Sequence, residues 1–224
     1  VLAAELSIHR SRWLPWEAPE PPGSLYPETD LTRLLRAEAG GAGRILSSRS
    51  GIFSSVLYPN TASVFGIAAL GGYDSIRPRG MPGLYGDDPT PSVLRSLAVT
   101  HALVPATGPD PPGEWSEAGC AQDHRLLRAA SPGPRYSAMD RTGQRLDDPS
   151  IERDLWNRRV LMLPPGTASV RVAENWHPDW EVRIEDGIWH AAHPGPDRSL
   201  VWSPPEPTTG PVRLELRFRP ADRR

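Results

Sequence analysis

The sequence contains no lysine and one cysteine, Cys120, and each shortage excludes a class of protein. One cysteine cannot form an internal disulfide or a cysteine-based metal site, so the fold must depend on packing. The 25 basic residues are therefore all arginines, and 27 acidic residues bring the net charge to −2. Because binding to a phosphate backbone needs a basic surface, we predict that nucleic acid is not a partner.

Long apolar runs and secretion signals are also lacking. The longest nearly uncharged apolar stretch, residues 63–72, is about half of the roughly 20 residues that a membrane-spanning helix needs. Residues 1–8 have neither an initiator methionine nor the basic and apolar pattern of a signal peptide. We therefore expect no membrane helix within the chain, and we expect the chain to be a piece of a longer protein.

Motifs for covalent catalysis and phosphate binding are lacking as well. No serine lies in a glycine-flanked nucleophile motif, and no glycine-rich phosphate loop is present. His177, His190 and His193 could share a metal ion, and Glu181 and Glu185 could act as an acid and base pair. The favoured interpretation is that the histidines bind no metal, that the acids lie on the solvated face of a strand, and that no cofactor is needed.

Proline and glycine are abundant, with 27 and 20 residues, and the apolar share of 38% is enough for a modest core. The proline-rich residues 11–30 predict an extended arm. A helix should follow, capped by Thr29 or Asp30 and ended by the glycines at 40–43. Residues 44–46 then predict a short buried strand.

The middle of the chain alternates short apolar segments with turns. A strand, a helix and a strand in this order indicate a small α/β layer. The predicted segments are a helix or strand over 62–70, a helix over 91–97, a strand over 98–104, a loop over 105–123, and strands over 125–130 and 135–139.

The last 80 residues follow a different pattern. Residues 168–173, 180–184 and 212–218 alternate apolar and polar side chains, which is typical of antiparallel strands with one wet face. The predicted fold class is therefore α+β. An α/β subdomain with a mixed sheet and an N-terminal arm should span residues 1–143, and an antiparallel β-sandwich should span residues 144–224.

Tryptophan is the most unusual residue after proline, with eight in the chain. Exposed indoles stack well on sugar rings, although most tryptophans are buried in protein cores. Both interpretations stay open for those near the predicted sandwich, which are Trp156, Trp176, Trp180, Trp189 and Trp202.

Several short motifs occur in an order that resembles one family. They include LYPET at 25–29 before a leucine helix and RIL at 44–46, then YPNT at 58–61, FGI at 65–67 and GGYDSIRP at 71–78. Further motifs are LAVTHALV at 97–104, PRY at 134–136, NWHPDW at 175–180 with EDG at 185–187, and the last strand over 212–220. Together they resemble the YfhO-type bacterial integral membrane proteins, polytopic envelope proteins that look like GT-C glycosyltransferases.

The resemblance implies a soluble domain at the extracytoplasmic face of the bacterial cell membrane. The parent would transfer a sugar from a polyprenyl-phosphate carrier, using a carboxylate between its membrane helices, so no catalytic residue is expected in this chain. Its partners would be the membrane-embedded part of the same polypeptide and an envelope glycan or lipid-linked sugar. The domain would dock over the membrane part, bind the acceptor or contact a partner.

Five residues are candidates for ligand binding. Asn60, Tyr73 and Asp74 are the polar positions that match the family, and Trp176 and Trp180 are candidate stacking platforms. For Asn60 and Asp74 the alternative is a structural role in a turn and a loop. Two other functions compete with the family interpretation: a secreted carbohydrate-binding or adhesion module, and a purely structural domain that stabilises a membrane part.

Overall fold

The computed structural model describes residues 27–40, 43–47, 62, 65–70, 89–155, 157–175, 177–195 and 199–219. Within these ranges the chain forms two helices and fourteen strands in three sheets, which confirms a β-rich fold. Neither of these helices is long and apolar enough to span a membrane. Most of the predicted arm over residues 11–30 lies outside the described residues.

The elements are short and follow one another closely. The helices are α1 (Asp30–Ala39) and α2 (Pro91–Ser96). The strands are β1 (Arg44–Ser47), β2 (Ala68–Ala69), β3 (His101–Pro105), β4 (Trp115–Ala121), β5 (His124–Ala129), β6 (Tyr136–Met139), β7 (Ser150–Leu155), β8 (Arg158–Leu163), β9 (Ser169–Asn175), β10 (Trp180–Ile184), β11 (His190–Ala191), β12 (His193–Pro194), β13 (Ser199–Trp202) and β14 (Val212–Phe218).

Helix α1 begins and ends where the sequence predicts. The Thr29 hydroxyl accepts a hydrogen bond from the Thr32 amide at 3.2 Å, and the Thr32 hydroxyl accepts one from the Thr29 amide at 2.7 Å. These reciprocal bonds satisfy amides that have no partner inside the helix. Gly40 caps the other end, and Leu31 and Leu35 are fully buried.

The first sheet has the strand order β2-β1-β3-β5-β4, with α1 packed on one face. Strand β1 is parallel to β2 and β3, whereas β3, β5 and β4 pair antiparallel. The loop predicted over 105–123 is wrong in its second half, because β4 pairs with β5 there. A Cβ atom on Gly119 would lie 2.9 Å from Leu34 of α1, so this glycine allows the helix to approach the strand closely.

Helix α2 confirms the helix predicted over 91–97, but the strand after it begins later than predicted. Ala98 has a φ of +53°, which is a left-handed backbone conformation. This residue turns the chain out of the helix, and β3 starts only at His101. The described part of residues 62–70 contains the short strand β2.

The other two sheets are antiparallel, with strand orders β11-β10-β14-β8-β7 and β12-β13-β9-β6. The predicted strands over 180–184 and 212–218 are confirmed as β10 and β14, and the strand predicted over 168–173 is β9. Alternate side chains of both sheets share one buried cluster, as period-two patterning requires. Its members are Tyr136, Leu161, Leu163, Val170, Val172, Trp180, Val182, Ala192, Leu200, Trp202, Leu214 and Leu216.

The predicted strands over 125–130 and 135–139 exist, but they do not pair with each other. Strand β5 pairs with β3 and β4, whereas β6 pairs with β9. The chain therefore leaves the first sheet between Ala129 and Tyr136. A Cβ atom on Gly133 would lie 2.0 Å from the carbonyl oxygen of Arg95, so the connection passes tightly against the end of α2. The subdomain boundary after residue 143 stays a prediction.

Candidate functional site

Four of the five predicted ligand-binding residues cannot be placed in the fold. Asn60, Tyr73, Asp74 and Trp176 lie outside the described residues. Their predicted role therefore stays a prediction.

The fifth residue, Trp180, lies in the core between the two antiparallel sheets and is only 6% exposed. The Arg159 guanidinium carbon lies 5.0 Å from the centroid of its ring, and the Phe218 ring centroid lies at 5.4 Å. Burial of a tryptophan in the sandwich region was one of the two interpretations left open by the sequence. In this conformation Trp180 does not present a free ring face to a sugar.

Beside Trp180 lies a group of charged side chains that we call the Glu174 cluster: Glu174, Asp154, Arg44, Arg135 and Arg159. Oε1 of Glu174 accepts from Nη2 of all three arginines, at 3.0 Å from Arg159 and 3.3 Å from Arg135. Asp154 accepts from Nε of Arg159 at 3.1 Å and lies 3.0 Å from Nη1 of Arg135. The cluster therefore joins all three sheets. Arg44 lies on β1 of the first sheet, Asp154 and Arg159 lie on β7 and β8 of the second, and Glu174 lies on β9 of the third. Arg135 lies in the connection before β6.

Strand periodicity explains why Arg159 is buried and why Glu174, whose side chain is 21% exposed, faces the same interior. Arg159 is in phase with Leu161 and Leu163, and Glu174 is in phase with Val170 and Val172, so both point between the antiparallel sheets. A charged residue in the apolar phase of a strand is the sequence signal that was overlooked.

Arg44 enters the cluster from the first sheet. Its Nη1 donates to the carbonyl oxygen of Leu97 at 2.8 Å and to that of Ala173. Leu97 is the C-cap residue of α2, so its carbonyl oxygen lies at the helix end where a positive charge is favourable. One arginine thus connects α2 and β9 to β1.

The electrostatics of the cluster keep Glu174 ionised. Burial alone would raise its pKa, but attraction to Arg44, Arg159 and Arg135 outweighs burial, and the pKa is lowered. Burial lowers the pKa of Arg44 despite the nearby Glu174 carboxylate. A carboxylate held ionised in this way is unsuited to proton transfer near neutral pH. The cluster is suited to holding structural elements together.

A cleft of about 300 Å³, which we call the Trp115 cleft, lies between α2, the start of β4 and the end of β5. Its walls combine apolar side chains with polar groups, and the charged side chains lie at the rim. The lining residues are Pro91, Leu94, Arg95, Val99, Pro112, Gly113, Glu114, Trp115, Ala129 and Ser131.

The indole N–H of Trp115 is the unusual group in this cleft. Its Nε1 atom is buried and has no hydrogen-bond partner among the described residues. A Cβ atom on Gly113 would lie 3.5 Å from Nε1 and 3.8 Å from Pro91, and the φ of +123° at Gly113 favours glycine. The glycine therefore leaves space beside the N–H group. Sequence reasoning missed this site because it placed Trp115 in a loop.

A second exposed feature, the hairpin tip, consists of Ile188 and Trp189 between β10 and β11. The Ile188 residue is 75% exposed, and Trp189 is partly buried. The guanidinium carbons of Arg217 and Arg183 lie 3.7 Å and 4.7 Å from the Trp189 ring centroid. The indole therefore lies on two arginines of the outer sheet face.

The alternative catalytic and metal-binding groups are separated in the fold. Glu181 accepts a hydrogen bond from Nε of Arg217 at 2.7 Å, and Glu185 accepts one from the backbone of another strand. His190 and His193 are exposed and belong to different sheets. Within the described ranges, no three His, Cys, Asp or Glu side chains are grouped to hold a metal ion.

The chain was also compared with known proteins. No family model matches it, and neither does any curated protein or solved structure.

Proposed function

We propose that the chain is the soluble extracytoplasmic domain of a YfhO-like bacterial membrane protein. In this proposal the first sheet and α1 form an α/β layer, and the two antiparallel sheets form a β-sandwich. The domain binds an acceptor glycan or docks onto the membrane-embedded part of the same polypeptide at the extracytoplasmic face of the membrane. It is not itself catalytic, since the reacting groups belong to the glycosyltransferase-like parent.

The hairpin tip is the observation that carries the docking role. It places a 75% exposed isoleucine beside an indole that rests on two arginines. Aromatic residues and arginine are enriched where proteins contact each other, and indoles are favoured near membrane surfaces. The tip directly follows residues 185–187, which belong to one of the motifs that resemble the family. We therefore propose that the tip contacts the membrane-embedded part.

Hydrogen exchange in the protein encoded by the complete reading frame tests the docking role. We expect the amides of residues 185–190 to exchange more slowly in the full-length protein than in the isolated domain. Ile188→Asp should remove this protection, because a carboxylate is unfavourable in an apolar contact. Ile151→Asp is the matched control, since Ile151 is 46% exposed on β7 at the opposite edge of the sheet.

Two results would overturn this proposal. One is a reading frame without apolar runs of about 20 residues on either side of the chain. The other is equal exchange at the tip in the full-length protein and in the isolated domain.

The alternative function is a secreted carbohydrate-binding or adhesion module without a membrane parent. The Trp115 cleft supports glycan binding in this alternative as it does in the proposed function, because a concave site with apolar walls and a few polar groups is typical of small-ligand binding. The same reading frame separates the two functions. A stand-alone module should bind glycans by itself and should have no membrane helices encoded beside it.

A further inference from the structure

The Trp115 cleft combines two properties that a ligand would have to match. Its inner wall is formed by the buried side chains of Leu94 and Val99, and its edges include the rings of Pro91 and Pro112. The Trp115 indole lines the same cleft, and its Nε1 atom is buried without a partner among the described residues. Because an unpaired buried donor is unfavourable, a ligand acceptor that reaches Nε1 when the ring rotates gains a hydrogen bond that the free protein lacks.

The polar groups at the rim of the cleft indicate which polar groups and which charge a ligand should have. Arg95, Glu114 and Ser131 line the cleft and are exposed. They offer a donor, an acceptor and a hydroxyl that can be either. One positive and one negative side chain leave the rim without an excess of charge. A cleft of this kind fits an uncharged ligand with one apolar face and several hydroxyl groups.

The volume of the cleft limits the size of the ligand. About 300 Å³ is at the lower end of the roughly 300–1,000 Å³ typical of ligand sites. This space suits one or two rings and excludes a long folded segment. A pyranose has the required shape, because its C–H groups form an apolar face and its hydroxyls project from the edge.

We propose that the Trp115 cleft binds one or two uncharged pyranose units of a glycan. The apolar face of the sugar lies against the proline rings and the side chains of Leu94 and Val99, beside the edge of the indole. A small rotation of the indole exposes Nε1 of Trp115, which then donates to a sugar hydroxyl. The inference rests on the proposed function, for which it names the ligand class and the binding residues. It moves the sugar-binding role from Trp180, which is buried, to Trp115.

Nuclear magnetic resonance of the indole N–H groups tests this assignment directly, since the chain has eight tryptophans. The probes are glucose, galactose, mannose and N-acetylglucosamine, with their β-linked disaccharides. The signal absent from the spectrum of Trp115→Phe belongs to Trp115. We expect at least one saccharide to shift this signal downfield in the parent protein and to leave the Trp189 signal unchanged.

Affinities of three variants separate the contacts. Trp115→Phe keeps a ring and loses the donor, so affinity should fall about two- to tenfold. Trp115→Ala loses both contacts and should bind about tenfold more weakly or worse. Glu114→Gln changes an exposed rim residue and leaves the core unchanged. This variant should bind the saccharide more weakly while its spectrum remains that of a folded protein. Ile151→Val changes an exposed residue of β7 and is the control that should bind like the parent.

The possible results also separate this inference from the proposed function. If a saccharide binds but neither the Trp115 signal nor the affinity of Trp115→Phe changes, the cleft assignment is wrong and glycan binding stands. If no saccharide shifts any indole signal at millimolar concentration, the cleft assignment fails, whereas docking is still decided by the Ile188→Asp experiment. If a synthetic peptide of residues 11–26 shifts the Trp115 signal and saccharides do not, the cleft is a peptide site and the inference fails.

Discussion

Two carboxylates in this molecule are each surrounded by three arginines, but the surroundings differ. Glu215 lies on the outer face of one sheet with Arg158, Arg183 and Arg213. Glu174 lies between sheets and is contacted by three arginines from separate parts of the chain. The comparison shows how the same residue types produce a surface ion network in one place and a tertiary connection in another.

The Glu215 network follows from strand pairing within a single sheet. Arg183 of β10 is directly opposite Glu215 of β14, and its Nη2 donates to Glu215 at 2.8 Å. The carboxylate is 3% exposed, whereas its arginines are 24% to 43% exposed. Because the guanidinium groups stay in contact with water, each ion pair contributes little to stability.

The Glu174 network depends on contacts between distant parts of the chain. The side chains of Arg44, Arg135 and Arg159 are only 6%, 14% and 4% exposed, whereas the Glu174 side chain is 21% exposed. The difference from the Glu215 network therefore lies in the burial of the arginines. Arg44 and Glu174 are separated by 130 residues in sequence. Removing one partner from such a buried set leaves charges that water cannot solvate, which is strongly destabilising.

The two networks should differ most when each carboxylate is removed in a separate variant and the free energy of unfolding is measured. We expect Glu174→Gln to lower the free energy of unfolding by about 3 kcal/mol, since three buried guanidinium groups lose a counter-charge. Glu215→Gln should cost about 1 kcal/mol, because its arginines are partly hydrated. Urea unfolding at pH 7 measures both, and equal losses would mean that burial of the arginines is unimportant.

Acid should weaken the contribution of the ionised Glu174 carboxylate to the stability of the parent protein. The pKa of Glu174 is lowered in the folded state, so its stabilisation is present above the pKa of the unfolded chain, about 4.3, and is lost as the pH falls through the folded value. The difference in stability between the parent and Glu174→Gln should therefore shrink in strong acid. A difference that grew in acid would contradict this assignment.

The coupling free energy between one arginine and the carboxylate should also differ between the two networks, by a smaller amount. A double-mutant cycle of Arg44→Met and Glu174→Gln should give a coupling of about 2 kcal/mol, because Arg44 is buried and Glu174 is partly buried beside it. The matched cycle of Arg183→Met and Glu215→Gln should give about 0.5 kcal/mol. Added salt at about 0.5 M should reduce only the second value, so a similar salt response in both cycles would contradict the comparison.

The smallest expected effect on stability comes from His101, a buried residue without a carboxylate partner among the described residues. His101 of β3 is 5% exposed, and burial lowers its pKa, with a further contribution from Arg128 of β5 that Glu38 of α1 opposes. The unfolded chain binds a proton near pH 6.5 and the folded chain does not, so stability should fall as the pH drops below that value.

The free energy of unfolding of the parent protein should therefore fall by about 1 kcal/mol or less between pH 7.5 and pH 5.5. His101→Leu should remove this dependence, whereas His190→Leu changes an exposed histidine and should retain it. A parent protein whose stability did not fall over this range would show that His101 is not held neutral.

Local patterns account for the parts of the fold that were predicted well. The capping residues and leucines of α1, the proline at the start of α2 and the alternation in β10 and β14 each act within a few residues. Strand β4 was missed because glycine and proline nearby predict a loop, whereas its pairing with β5 and its contact with α1 favour a strand. The sequence predicted the strand at β6 but not its partner β9, because strand partners depend on contacts between residues that are far apart in sequence.

The candidate sites show the same division. The spacing of Glu181 and Glu185 predicted that both lie on one solvated face of a strand, because positions an even number of residues apart point to the same side. Glu181 lies on β10, but Glu185 follows it in a turn with a φ of +48°. The Trp115 cleft needed the ends of three elements to meet, and no pattern in residues 105–123 indicates that meeting.

By itself, the sequence determined a β-rich fold, the positions of its most regular strands and the caps of its first helix. These features depend on backbone preferences and on side-chain periodicity, which operate over short distances along the chain. Only the tertiary structure decided which sheet each strand joins, that Trp180 is buried, and that Arg44 reaches Glu174 across 130 residues. Those outcomes depend on long-range packing, in which a side chain is buried or exposed according to elements that lie far away in sequence.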